Sequence, residues 1–70
     1  MNPIEIAVKQ HYSSVEAAIR KLVDLYEDDF DIEDPALLKS VFSRYGLLKD
    51  GFCSERAYIM QEVKRRIIKR

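Results

Sequence analysis

The chain has 70 residues, 47% of them hydrophobic, with 12 basic and 12 acidic residues that leave it neutral. A chain of this length has room for one small core, so we expect a single helical domain over residues 1–70. The hydrophobic fraction is too high for a disordered chain, and 2 Gly and 2 Pro are too few for many short strands. The composition therefore predicts an all-α fold, a bundle of about four helices.

The sequence also indicates where in the cell the protein works and whether it holds a metal ion. Glu5 lies among the first residues without an apolar run of signal-peptide length, and no segment approaches the roughly 20 apolar residues that cross a bilayer. Cys53 is the single cysteine, so it forms no internal disulfide, and no CxxC or Cys/His cluster suggests a structural metal. We therefore expect a cytoplasmic protein that holds no metal and no cofactor.

The first predicted helix spans about residues 3–12. Asn2 is a good N-cap, and Pro3 suits the first helical position, where a backbone N–H is not needed. At about 100° per residue one side of this helix carries Ile4, Ala7, Val8, His11 and Tyr12. Ile6 falls nearly opposite them, so we expect it to be exposed and interpret it as part of a contact surface.

A second helix is predicted at about residues 14–27. Ser13 and Glu16 have the spacing of a capping box, which indicates a new helix start and a sharp bend at Ser13 and Ser14. Its broad apolar face makes it the strongest core helix of the chain. The next segment, residues 27–34, has six acidic residues out of eight and opposes the helix dipole, so the helix is expected to end there.

This acidic segment does not match a calcium-binding loop. An EF-hand loop that starts at Asp29 needs Gly at position 6 and Glu at position 12, but the sequence has Asp34 and Ser40 there. We expect a solvated acidic loop in which Phe30 and Ile32 dip into the core.

The third predicted helix spans about residues 35–45. Asp34 and Pro35 supply its N-cap and first helical residue. Gly46 suits the left-handed position that ends a helix, and Leu47 is placed to fold back on the helix end.

The fourth predicted helix spans about residues 54–69. Asp50 and Gly51 mark a turn before it, and Ser54 is its expected N-cap. The apolar periodicity of the helices predicts a core that includes Val15, Ile19, Leu22, Leu38, Val41, Phe42, Met60, Val63 and Ile67.

Charge is strongly segregated along this neutral chain. Residues 1–35 contain 3 Lys or Arg and 9 Asp or Glu, whereas residues 36–70 contain 9 and 3. One interpretation is that the basic last helix packs near the acidic residues 27–34 and offsets their charge within the chain. The other is a bipolar surface that pairs head to tail or docks a charged partner. We favour the first, because charges that suit the helix dipole are common at helix ends.

The fourth helix carries the candidate partner-binding residues. Tyr58, Arg65 and Lys69 recur at helical spacing and form a stripe opposite the buried residues, next to Arg66. Because Tyr and Arg are frequent among residues that dominate interfaces, we expect these four residues to bind an acidic protein surface. The basic residues 64–70 also fit a nucleic-acid-binding helix, although cations are common in a last turn and the chain has no net positive charge.

Residues 2–22 contain three short motifs: Asn2-Pro3-Ile4, Ala7-Val8 and Ser14-Val15-Glu16-Ala17-Ala18. With these motifs the segment resembles the opening of phage Cro-like helix-turn-helix repressors. The resemblance implies a tight turn after the second helix and then a polar recognition helix that enters the major groove of DNA. In this chain the corresponding residues 23–29 continue the helix and become strongly acidic, which DNA phosphates would repel.

No residue pattern supports catalysis. His11 is the single histidine, and so small a core hardly encloses a pocket that would hold a nucleophile or a carboxylate beside it. Cys53 lacks the sequence context of a reactive thiolate beyond its position near a helix N-terminus. We therefore expect a non-enzymatic helical protein-protein interaction or regulatory module that acts by partner docking or self-association, as a homodimer rather than a monomer. The alternative is a DNA-binding regulator.

Overall fold

The computed structural model describes residues 2–69, and within them the fold is all-α, with three helices and no strand. Helix α1 spans Pro3–Glu27, α2 spans Pro35–Arg44 and α3 spans Arg56–Ile68. The all-α prediction is confirmed, whereas the predicted number of about four helices is too high by one. None of the three helices combines the length and the apolar character needed to cross a membrane.

The first two predicted helices are one continuous helix, so the predicted bend at Ser13 and Ser14 is wrong. The Oγ of Ser14 donates a hydrogen bond of 3.1 Å to the carbonyl oxygen of Gln10, one turn earlier, instead of capping a new helix. Neither Gly nor Pro occurs in residues 4–27, so no residue breaks the helical hydrogen bonding. The two-helix opening implied by the Cro-like resemblance is therefore absent.

The predicted caps of α1 and α2 are confirmed. The Oδ1 atom of Asn2 accepts a hydrogen bond from the N–H of Ile4 at 2.9 Å, and that of Asp34 accepts one from Ala36 at 3.0 Å. Gly46 ends α2 with a φ of 68°, in the left-handed region where Gly has no steric cost.

Helix α3 begins two residues later than predicted, and Ser54 is not its N-cap. Glu55 holds that position and makes no side-chain capping bond. Its carboxylate lies 2.8 Å from Nε2 of His11 and accepts a hydrogen bond of 3.5 Å from Sγ of Cys53. Because the carboxylate stays beside the first turn of α3, its negative charge still favours the helix dipole.

The core forms where α1 packs against α2 and α3. Eight of the nine predicted core residues are buried, and the ninth, Ile67, is partly buried and packs against the others. The buried cluster also includes Ala18, Val23, Ile32, Leu47 and Ile59. Burial of Leu47 confirms that the chain folds back after α2.

Only one of the two predicted anchors of the acidic loop is correct. Ile32 is buried, but Phe30 is exposed. Asp29 has a left-handed φ of 66°, so the chain reverses direction immediately before Phe30. This reversal places Phe30 on the surface, in a shallow groove that it lines with Tyr26.

The chain runs up through α1, down through α2 and up again through α3. Glu55, at the start of α3, contacts His11, whereas Ile67 near its end lines a groove with Tyr26, near the end of α1. Helix α3 therefore lies parallel to α1. The basic end of α3 consequently lies beside the acidic loop.

Candidate protein-interaction site

The N-terminal part of α1 extends beyond the packed core. All residues from Asn2 to Ser13 are exposed, and the first buried residue of the helix is Val15. We call residues 3–12 the arm; at 1.5 Å per residue it is about 15 Å long. Helices α2 and α3 do not extend over the arm, so its apolar side chains remain in solvent.

The arm has an apolar face that continues the core-facing side of α1. Ile4, Val8 and Tyr12 recur at i+4 spacing on the side of the helix that buries Val15 further along. Their exposed fractions are 71%, 47% and 69%. Ile6, on the opposite side, is 40% exposed, as the sequence predicts. A contiguous apolar stripe in solvent is typical of a contact site.

A contact of 2.8 Å between Nε2 of His11 and Oε1 of Glu55 joins the base of the arm to the start of α3. Burial raises the pKa of the Glu55 carboxyl group, but hydrogen bonds from its own backbone N–H, Ser54 and Cys53 and the charge of His11 outweigh this effect. The net pKa is lowered from the ordinary value of 4.5. Glu55 is therefore ionised at neutral pH. Its contact with His11 lies at the level where the arm leaves the packed core.

Three of the four predicted partner-binding residues lie together on the outer face of α3. Tyr58, Arg65 and Lys69 are all exposed. The Nε and Nη2 atoms of Arg65 donate hydrogen bonds of 2.9 Å and 2.8 Å to the carboxylate of Glu62. This pairing raises the pKa of Arg65 and lowers that of Glu62. The outer face is thus a short stripe in which one of the three candidate side chains already has a carboxylate partner.

The fourth predicted residue, Arg66, faces α1 instead. Its Nη1 and Nη2 atoms each lie 2.9 Å from a carboxylate oxygen of Glu16. The hydrogen bond from Arg66 lowers the pKa of Glu16, and the same bond raises the pKa of Arg66. Arg66 therefore makes a contact between helices, away from the stripe formed by the other three residues.

Ion pairs within the chain offset part of the charge segregation. The Nζ atom of Lys64 lies 3.3 Å from Oε1 of Glu33 in the acidic loop, and Arg66 pairs with Glu16. Both pairs join the acidic and basic halves of the chain. They support the interpretation in which the basic last helix packs near the acidic segment.

The apolar face of the arm is the feature that sequence reasoning missed. The helical pattern places Ile4 and Val8 on one side of the predicted first helix and indicates exposure only for Ile6, on the opposite side. The absence of Gly and Pro from residues 4–27 was the available signal. It favours a helix far longer than the other two, and the excess length of such a helix has no neighbour to pack against.

The described residues lack the features of a metal site and of a reactive thiol. Within residues 2–69 no group of three or more His, Cys, Asp or Glu side chains is placed to hold a metal ion, and no polar or charged residue is buried. Burial raises the pKa of the Cys53 thiol, which is the opposite of the shift found at reactive thiolates. Comparisons of the chain with protein-family models, curated proteins and solved structures gave no match.

Proposed function

We propose that the protein is a non-enzymatic helical interaction or regulatory module that binds a protein partner or itself through the arm. The observation that carries this proposal is the exposed apolar face formed by Ile4, Val8 and Tyr12. A helix that only extends into water is expected to be polar on all sides or to fray. Apolar residues on one side of such a helix are the pattern of a surface that is covered in a complex.

The energetics of the arm support the same proposal. Helical segments of about ten residues are marginal in water unless an apolar face is packed. The backbone of the arm is continuous with the packed half of α1. The side chains of the arm, however, are all exposed and bury much less apolar area than those of the packed half. A partner that covers the apolar face would contribute about 25 cal/mol for each Å² removed from water.

The outer face of α3 is a second proposed contact, for an acidic surface. Its support is the exposure of Tyr58, Arg65 and Lys69 along one stripe. Arg66 would join that contact only after leaving Glu16. Because charges at the rim of an interface act mainly on the rate of association, this face would steer the encounter, while the arm supplies the buried contact.

We also propose that the chain is one domain that works in the cytoplasm. Residues from all three helices contribute to the buried cluster, which supports a single folding unit. Cys53 is a free thiol, and a reducing compartment keeps thiols in that state.

The test of the proposed function uses two charge substitutions on opposite sides of the arm. Val8→Glu changes the apolar face, and Ile6→Glu is the matched control at a similarly exposed position. Each immobilised variant is incubated with lysate of the native host and with a differently tagged second copy. We expect wild type and Ile6→Glu to retain the same partner and Val8→Glu to lose it. Equal retention by Val8→Glu, with the helical circular dichroism unchanged, would show that the arm is not the binding site.

A further inference from the structure

We infer that the arm of one molecule packs against the arm of a second copy, antiparallel, about a two-fold axis between Ala7 and Val8. The inference rests on the proposed function and names the partner of the arm. It follows from the position of α2 and α3 beside the exposed apolar face and from the placement of charges on the flank of the arm.

The exposed apolar face runs the length of the arm. It is bounded at its inner end by the start of α3, where Glu55 meets His11, and no described residue covers its outer end. Helices α2 and α3 lie on the same side of α1 as this face, because that side buries Val15 and Leu22 further along. An antiparallel second arm covers this face, and its body lies beyond the tip of the first arm. A parallel second arm would force its body into α2 and α3.

The antiparallel register determines which side chains of the two arms lie at the same level. Ile4 lies level with His11 of the second copy, and Val8 lies level with Ala7 of the second copy. Ala7 lies on the flank beside Val8, and its small side chain permits the close approach of helix axes, about 8–10 Å, that packed helices need. Ile6 stays on the outside of the pair.

Charges on the arm favour this orientation. Glu5 and Lys9 lie on the same flank of the apolar face, and neither takes part in an ion pair among the described residues. In an antiparallel pair the same flanks adjoin, so Glu5 lies within about 1.5 Å, along the axis, of the level of Lys9 in the second copy. A parallel pair would instead place this flank beside the one that carries Ala7, Gln10 and His11, which offers no carboxylate to Lys9.

The size of the contact sets its strength. Two arms of about ten residues each bury less than the roughly 1,200 Å² at the lower limit of standard protein interfaces. The pair is therefore a weak dimer that forms as the concentration rises.

Sedimentation velocity of the full chain, from about 1 µM to 1 mM, tests the inference. We expect wild type to shift from the mass of one chain, 8.2 kDa, to twice that mass. Val8→Glu should weaken the dimer by about tenfold or more, whereas Ile6→Glu should behave as wild type. Glu5→Lys should weaken it roughly two- to fivefold, and the double variant Glu5→Lys, Lys9→Glu should restore it.

Three results would contradict the antiparallel pair. Wild type could keep the mass of one chain at every concentration, or Val8→Glu could dimerise as strongly as wild type. The double charge variant could also dimerise as weakly as Glu5→Lys alone. If wild type stays monomeric but captures another protein only with an intact arm, the self-pairing is wrong and the proposed function stands. If the arm neither pairs nor captures a protein, both are wrong.

Discussion

At the scale of single residues, Asp29 follows the C-cap of α1 in a backbone conformation that usually requires Gly. Its φ is 66°, its N–H bonds to the carbonyl of Tyr26, and the N–H of Phe30 bonds to the carbonyl of Leu25. These two bonds define a Schellman motif. Gly46 holds the equivalent position after α2, with the same left-handed backbone.

Replacing Asp29 should therefore stabilise the protein when the new residue is Gly and not when it is Ala. We expect Asp29→Gly to be more stable than Asp29→Ala by about 1 kcal/mol, because an L-residue pays a steric cost in the left-handed region. Both substitutions remove the carboxylate, so their difference isolates the backbone conformation. Urea unfolding measures it, and equal midpoints for the two variants would contradict the prediction.

Glu16 should make stability depend on pH. Its pKa in the folded state is lowered, mainly by the hydrogen bond from Arg66, so it contributes stability above its unfolded pKa and loses it as pH falls through the folded pKa. We expect Glu16→Gln to be less stable than wild type by about 0.5–1 kcal/mol at pH 7, a small value because 39% of the Glu16 side chain is exposed.

The difference between wild type and Glu16→Gln should shrink as the pH falls below the ordinary carboxyl pKa of 4.5, and it should vanish once the carboxylate is protonated in both the folded and the unfolded state. Glu33→Gln is the control, since the pair of Glu33 with Lys64 is more exposed and should matter less. Thermal unfolding across pH gives both curves. A difference that stays constant from pH 3 to 7 would show that the charge of Glu16 is not its cause.

At the scale of secondary-structure elements, α1 and α3 each combine two roles. The second half of α1 supplies the largest share of the core, while its first half extends into solvent. Helix α3 buries Ile59 and Val63 on one side and has Tyr58 and Lys69 on the other. The arm of α1 and the outer face of α3 can therefore each be mutated without removing a core residue.

The outer face of α3 can be tested with the triple variant Tyr58→Ala, Arg65→Glu, Lys69→Glu. Surface substitutions usually change stability by less than about 0.5 kcal/mol, so we expect the variant to stay folded. We also expect association with an acidic partner to slow, and the salt dependence of the rate to decrease, because long-range attraction is lost. Surface plasmon resonance at two salt concentrations measures both. An unchanged association rate would show that this face is solvated surface and does not contact a partner.

At the scale of the whole molecule, paired charges argue against the DNA-binding alternative. Three cations of α3, Lys64, Arg65 and Arg66, pair with carboxylates, and the chain has no net charge. We expect the protein to leave a heparin or random duplex DNA column below about 200 mM salt, because few phosphate contacts give a shallow salt slope. Retention well above that salt, lost on Arg65→Glu and Lys69→Glu, would instead favour DNA binding.

Local sequence determined most of the helical structure and the core. Asn2 and Asp34 each precede Pro at a helix start, and Gly46 supplies the left-handed helix end; these are local backbone preferences that a short motif records. Apolar periodicity predicted burial of residues such as Leu22 and Phe42, because side chains at that spacing share one face of a helix.

Tertiary structure decided which apolar faces are covered. Val8 and Val15 lie on the same side of α1, yet only Val15 is buried, since α3 begins beside His11. The side chain of Ser14 satisfies a carbonyl within a helix as readily as it caps a new one, so the motif alone did not determine whether α1 bends. The arm exists because helix length follows from local sequence, whereas the extent of packing depends on where the other helices begin and end.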